Sequence, residues 1–83
     1  MSPSEKVYQA KLIKRFKKEG YLVLKLIQVQ EAGYPDLLLL KPDGEIRFVE
    51  VKARRGRLSE IQKTRIAQLQ DMGFVAQVYR SEH

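Results

Sequence analysis

GYPDLLLLKPDGEIRFVEVK, residues 33–52, is the stretch whose reading decides the fold. Two short apolar runs, Leu37 to Leu40 and Ile46 to Val51, flank Lys41-Pro42-Asp43-Gly44-Glu45. Proline presets the backbone for a reversal and Asp-Gly completes it, so the stretch predicts a β-hairpin. Its first strand opens on Asp36; its second closes on Glu50 and Lys52. Side chains alternate along a strand, which puts Glu50 and Lys52 on one face and Val49 and Val51 on the other. The start of one hairpin strand lies beside the end of the next, so Asp36 is expected next to Glu50 and Lys52. Two carboxylates and an ammonium then meet among the most apolar residues of the chain, where charge is costly unless paired or metal-bound. Two arrangements satisfy that demand. One is an ion pair of Lys52 with one or both acids. The other is a hard-cation site, in which carboxylates and waters hold Mg²⁺ and the lysine orients water or a phosphate, as in a metal-dependent phosphodiesterase.

Upstream of the hairpin, Ser2-Pro3-Ser4-Glu5 reads as a helix start, with Ser2 as N-cap, Pro3 at the first helical position and Glu5 closing a capping box. The helix is expected to run to Lys18 or Glu19 and to stop at Gly20. At about 100° per residue, Glu5 falls within roughly 20° of both Leu12 and Phe16, so it points along the inward stripe. Glu5 is either the cap partner alone or a third acid facing the hairpin. Lys6, Lys11, Lys14, Arg15, Lys17 and Lys18 occupy the outer faces. Tyr21 to Ile27 reads as a strand whose alternation, with Lys25 among apolar residues, suits a half-exposed or edge position. In the connection that follows, Gly33 either takes a positive φ or lets something approach the backbone, and Pro35 stiffens the approach to Asp36. Leu37 to Leu40, apolar on both faces, predicts a central strand covered by helices.

Downstream, Lys52, Arg54, Arg55 and Arg57 place four basic residues in six positions directly after Glu50. Such a loop suits the phosphate backbone of a nucleic acid, or is simply an exposed charged turn. Ser59-Glu60-Ile61-Gln62 is a second capping box. It starts a helix expected to reach Met72 and stop at Gly73, with Ile61, Ala67, Leu69 and Met72, and Ile66 nearby, as its apolar side. Gln62 serves that cap or reaches a phosphate or Lys52. Phe74 to Tyr79 predicts a last strand, parallel to a central one because a helical crossover precedes it; Arg80 to His83 is expected to fray.

Eighty-three residues make one small domain. At this length only about 60% of the extended-chain surface is buried, so a homodimer would be a natural way to enlarge a thin core. Absence of cysteine excludes disulfides and thiolate metal sites, and the single histidine, His83, excludes histidine-based zinc centres and a Ser-His-Asp triad. No apolar run approaches 18 residues, so neither a membrane span nor a signal peptide is expected. The formal charge of +6 favours a polyanionic partner, most simply nucleic acid.

An acid in the first helix, Gly-x-Pro-Asp at 33–36, Val-Glu-Val-Lys at 49–52 and Gly-Arg-Leu-Ser-x-x-Gln at 56–62 together resemble the VRR-NUC family of the PD-(D/E)XK nuclease superfamily. The likeness spans Glu5 to Val78. It implies a single VRR-NUC-like domain over 1–83, of the α/β class, with a restriction-endonuclease-like αβββαβ core and a mixed four-stranded sheet. It implies Mg²⁺ or Mn²⁺ held by Asp36, Glu50, the Val51 carbonyl and Glu5. Lys52 would be the active-site lysine, and Gln62 would be the supporting glutamine. Lys52, Arg54, Arg55, Arg57 and Lys63 are the expected DNA contacts. By similarity to stand-alone phage and bacterial members and to Holliday junction resolvases, the resemblance implies a cytoplasmic bacterial or phage-encoded homodimer cutting branched DNA. The alternatives are a nickase or flap nuclease that needs a partner protein, a non-catalytic nucleic-acid-binding module, and a structural protein whose Asp36–Lys52 contact is only an ion pair.

Overall fold

The computed structural model describes residues 3–27 and 30–81. Its elements are α1 (Pro3–Lys18), β1 (Leu22–Lys25), β2 (Leu37–Leu40), β3 (Ile46–Lys52), α2 (Glu60–Asp71) and β4 (Val75–Arg80). One mixed sheet of order β1-β2-β3-β4 results, with the first three strands antiparallel and β4 parallel to β3 after the α2 crossover. The expected αβββαβ core and the edge position of β1 are therefore present. Ser2 and His83, read above as a cap and a frayed end, lie outside the described residues.

The hairpin turn is local chemistry. The Gly44 N–H donates to the Lys41 carbonyl at 3.0 Å, the Asp43 carboxylate accepts from the Glu45 N–H at 2.9 Å, and Gly44 takes φ +87°. The register Leu37↔Val49 and Leu39↔Arg47 follows. It puts Leu37, Leu39, Val49 and Val51 on one face, all essentially sealed from solvent beneath Leu12 and Phe16 of α1. Edge-to-face contacts of Phe16 with Tyr21 (6.0 Å) and Tyr79 (5.5 Å) fill the rest of this layer. The helix ends as its glycine requires: Gly20 has φ +95°, and the Tyr21 N–H donates to the Phe16 carbonyl at 3.0 Å.

The structure corrects four expectations. First, β1 is shorter than Tyr21–Ile27. Tyr21 is still closing the helix, and beyond Lys25, among the described residues, one bond, Leu26 N–H to the Asp36 carbonyl at 2.8 Å, continues before Pro35, which has no N–H. Second, the other face of β2 is not fully covered. Leu38 and Leu40 are half-buried, because α2 packs over β4 rather than β2. Third, α2 does not bury Ile61, Ala67 and Met72, which are exposed. Its inward row is Gln62, Arg65, Ile66 and Leu69, one stripe at helical spacing, two of whose members are polar. Fourth, Arg80 is not frayed. It pairs with Lys52 in the ladder, donates to the Gly56 carbonyl, and is followed by Ser81, whose N–H donates to the Lys52 carbonyl at 3.0 Å.

Candidate active site

Asp36 stands where β2 begins, one step beyond the Leu37↔Val49 pair and therefore opposite Glu50. Buried Pro35 fixes its approach. Its carboxylate accepts the Val51 N–H at 2.8 Å, so a side chain supplies the hydrogen bond that the ladder no longer makes there. Glu50 is 2% exposed, while its strand neighbours Val49 and Val51 are buried on the opposite face. One carboxylate oxygen of Glu50 lies 3.7 Å from the Lys52 ammonium; the other, Oε1, is buried with no hydrogen-bond partner. Burial first, then the neighbouring Asp36 carboxylate, push the Glu50 pKa up to about 8; Lys52 opposes them. An ion pair with Lys52 alone leaves that acid under-compensated. A buried acceptor without a donor is costly, and a cation satisfies it. The donor set, two carboxylates with the buried Val51 backbone between them, suits an oxygen-loving divalent ion.

Other expected residues sit around this trio. Glu5 is half-buried in the first turn of α1 and reaches the loop after β3: a Cβ on Gly56 would lie 3.4 Å from its Oε1. Among the described residues no three acids converge closely enough to hold a metal ion, so Glu5 stands apart from the Asp36–Glu50 pair. Gln62 completes the capping box, its Oε1 accepting the Ser59 N–H at 2.9 Å while its own N–H donates to Ser59 Oγ at 3.2 Å. Arg54, Arg55 and Arg57 are exposed on the loop. Lys63 lies further on, 3.2 Å from the Glu60 carboxylate.

Arg65 carries a role the sequence did not disclose. It donates to the Ala32 carbonyl (3.1 Å) and to the carboxylate of Glu31 (2.8 Å), binds Gln68 Oε1 (3.1 Å) and lies over the Tyr34 ring (4.9 Å). Gly33 beneath it has φ +91° and no room for a side chain, since a Cβ would come within 2.7 Å of Ile61 Cγ1. Both explanations offered for Gly33 therefore hold together. Arg65 thus fastens to α2 the segment that delivers Asp36. The available signal was an arginine one turn after Gln62 on an inward stripe; its partners more than thirty residues away gave none.

A family model described as the VRR-NUC domain matches residues 4–83. A solved structure described as a VRR_NUC domain superposes with a TM-score of 0.84 at 29% sequence identity, covering 96% of this chain and 87% of that one. No curated protein matches the chain. No helix among the described residues is long and apolar enough to cross a membrane.

Proposed function

Because the chain belongs to the VRR-NUC family, and so carries a nuclease-type domain, we propose that it is a metal-dependent DNA endonuclease selective for branched DNA such as four-way junctions. The observation that carries this reading is the buried Glu50 carboxylate, one oxygen unpartnered, set against Asp36 and beside Lys52. Asp36 and Glu50, with the Val51 carbonyl, would hold Mg²⁺ or Mn²⁺. When bound, such an ion polarises a phosphate oxygen and makes hydroxide available near neutral pH. Lys52 positions the attacking water and offsets the charge that builds on the phosphate. Glu5 acts from the first turn of α1 against the Gly56 loop, and Gln62 from the start of α2, holding the two segments that border the acids. Arg54, Arg55, Arg57 and Lys63 take up neighbouring phosphates, contacts that position DNA without reading its bases.

Two copies would present two such centres to a junction. Edge strand β1 is the surface for that contact, with Leu22 60% and Leu24 41% exposed beside a strand edge that no other described strand covers.

The test is cleavage of labelled four-way junction, flap, single-stranded and linear duplex DNA in Mg²⁺, Mn²⁺ or EDTA. Paired symmetric cuts in the junction, absent in EDTA and in the Asp36→Ala and Lys52→Ala proteins, are expected. Metal-dependent cutting of other substrates alone would keep the chemistry and remove the junction. Failure of folded protein to cut any substrate would leave a partner-dependent enzyme or a binding module.

A further inference from the structure

Asp36 is flanked on two sides. On its β3 side stand Glu50, Lys52 and the basic loop, as described. On its β1 side the structure opens a cleft of about 570 Å³ between α1 and the end of β1, lined by Lys6, Gln9, Ala10, Lys25, Leu26, Ile27 and Asp36 itself. Lys25 pairs with Leu37, one step from Asp36, and the neighbouring Leu26 N–H holds the Asp36 carbonyl. Among the described residues, neither Lys6 nor Lys25 forms a salt bridge, whereas Arg15, Arg47, Lys63 and Arg65 each meet a carboxylate. Two cations from different elements thus border one cleft that Asp36 also lines. Unneutralised cations around a concave surface attract a polyanion, and a glutamine there adds both a donor and an acceptor.

We propose that Lys6, Lys25 and Gln9 form a second phosphate subsite, which binds the DNA backbone next to the phosphate being cut. β1 and β3 lie on either side of β2, about 10 Å apart at two strand spacings. A DNA strand crossing the ends of β1, β2 and β3 meets Lys25 and Lys6 on one side of the acids and Lys52 with the loop arginines on the other. Clamping the strand on both sides holds the scissile phosphate over Asp36 and Glu50, and proximity of that kind is where much of an enzyme's rate comes from. Leu26 and Ile27 form the apolar wall against which a sugar or base edge rests.

This inference rests on the nuclease reading, and its test separates the two. Binding of fluorescein-labelled four-way junction DNA is measured by anisotropy in EDTA over a range of salt concentrations. Wild-type protein is compared with Lys6→Ala/Lys25→Ala, with Lys6→Arg/Lys25→Arg, and with Lys11→Ala/Lys18→Ala. The last pair removes the same charge from positions roughly 120–140° around α1 from Lys6. Circular dichroism checks that each variant folds. Each phosphate contact contributes about 0.7–0.9 to the slope of log affinity against log salt. The Lys6→Ala/Lys25→Ala protein is expected to lose between about 1 and 2 units of slope and to bind at least tenfold more weakly at moderate salt. The arginine pair is expected to retain binding, and the Lys11→Ala/Lys18→Ala protein to change less. Equal losses in the two alanine pairs would overturn the subsite and leave general charge attraction. If wild-type protein cuts DNA while Lys6→Ala/Lys25→Ala keeps the wild-type slope, the subsite fails and the nuclease reading stands. If wild-type protein binds but never cuts in Mg²⁺ or Mn²⁺, autonomous nuclease activity fails, and the slope still decides whether Lys6 and Lys25 touch phosphate.

Discussion

The two faces of β3 differ by a single residue step and by nearly everything else. Val49 and Val51 lie under α1 in a dry layer with Leu12, Phe16, Leu37 and Leu39. Glu50, between them in sequence and as deeply buried, turns to the opposite face and meets Asp36 and Lys52. Over β2 and β3 the α1 face is closed and apolar; the opposite face is half-open around a buried acid. In a domain with so few core residues, period 2 separates an apolar packing side of the strand from the side that carries the buried acid and the lysine. Substitutions on the two faces should therefore fail in different ways.

The largest effect is expected in cleavage. Asp36→Ala, Glu50→Gln and Lys52→Ala should each lower the cutting rate by about 100-fold or more, the scale of removing one preorganised charge-stabilising group. Circular dichroism in EDTA should show each of these proteins folded, so that the lost rate is not lost structure. A rate that survives in Glu50→Gln would mean the buried acid is structural. Leu39→Ala, on the other face, should cost about 2–5 kcal/mol of stability, read by urea unfolding. Its cutting rate per folded molecule should be preserved. Loss of folded-state activity in Leu39→Ala would show that the two faces are not separable.

pH sharpens the contrast, since Glu50 is the titrating group buried between the faces. Its pKa in the fold is pushed up to about 8 from an ordinary 4.5, so the folded chain holds this proton more tightly than the unfolded one. The associated stability is complete below about pH 4.5 and is lost as pH rises towards 8, with a slope of at most about 1.4 kcal/mol per pH unit. In EDTA, wild type should lose stability relative to Glu50→Gln across that window. Added Mg²⁺ or Mn²⁺ should stabilise wild type more as pH rises, because the ligands must shed their protons to bind metal. Stability that instead increases with pH in EDTA, relative to Glu50→Gln, would mean the acid is ionised in the fold.

The clamp on the approach to Asp36 comes next in size. Arg65→Ala removes contacts to Glu31, the Ala32 carbonyl and the Tyr34 ring, and should cost about 1–2 kcal/mol. Arg65→Lys should recover only part, since an ammonium cannot fork between two acceptors and stack as a guanidinium does. Gly33→Ala should be at least as damaging, because the new methyl collides with Ile61 at a positive φ. Hydrogen exchange in residues 30–36 would read both. Unchanged protection there would mean Arg65 does not hold the segment.

What the sequence disclosed is what short-range chemistry determines. Pro42-Asp43-Gly44 set the hairpin, the hairpin register brought Asp36 to Glu50, and Ser59 with Gln62 set the start of α2. What it hid depends on partners distant in the chain. Ile61 and Met72 look like core on a helical wheel, yet α2 rests on β4 through Leu69 and spends Gln62 and Arg65 on the loops. The inward direction of Glu5 was legible from its spacing to Leu12 and Phe16. Its position over Gly56 was not, because that depends on where α1 stops along the sheet.

The smallest effect concerns Gln62, which the sequence left between cap and chemistry. Both halves of its capping box are formed. Ser59→Ala should therefore cost about 1 kcal/mol of stability, and Gln62→Ala a similar or smaller amount. Gln62→Glu keeps an acceptor that can still reach the Ser59 N–H, because either residue closes such a box. If the cap is the whole of its role, Gln62→Glu should match wild type in both unfolding and cutting. If Gln62 also faces the phosphate or the acids, the added negative charge should slow cutting several-fold with no change in stability, and that split would move Gln62 from the α2 scaffold to the chemical face of β3.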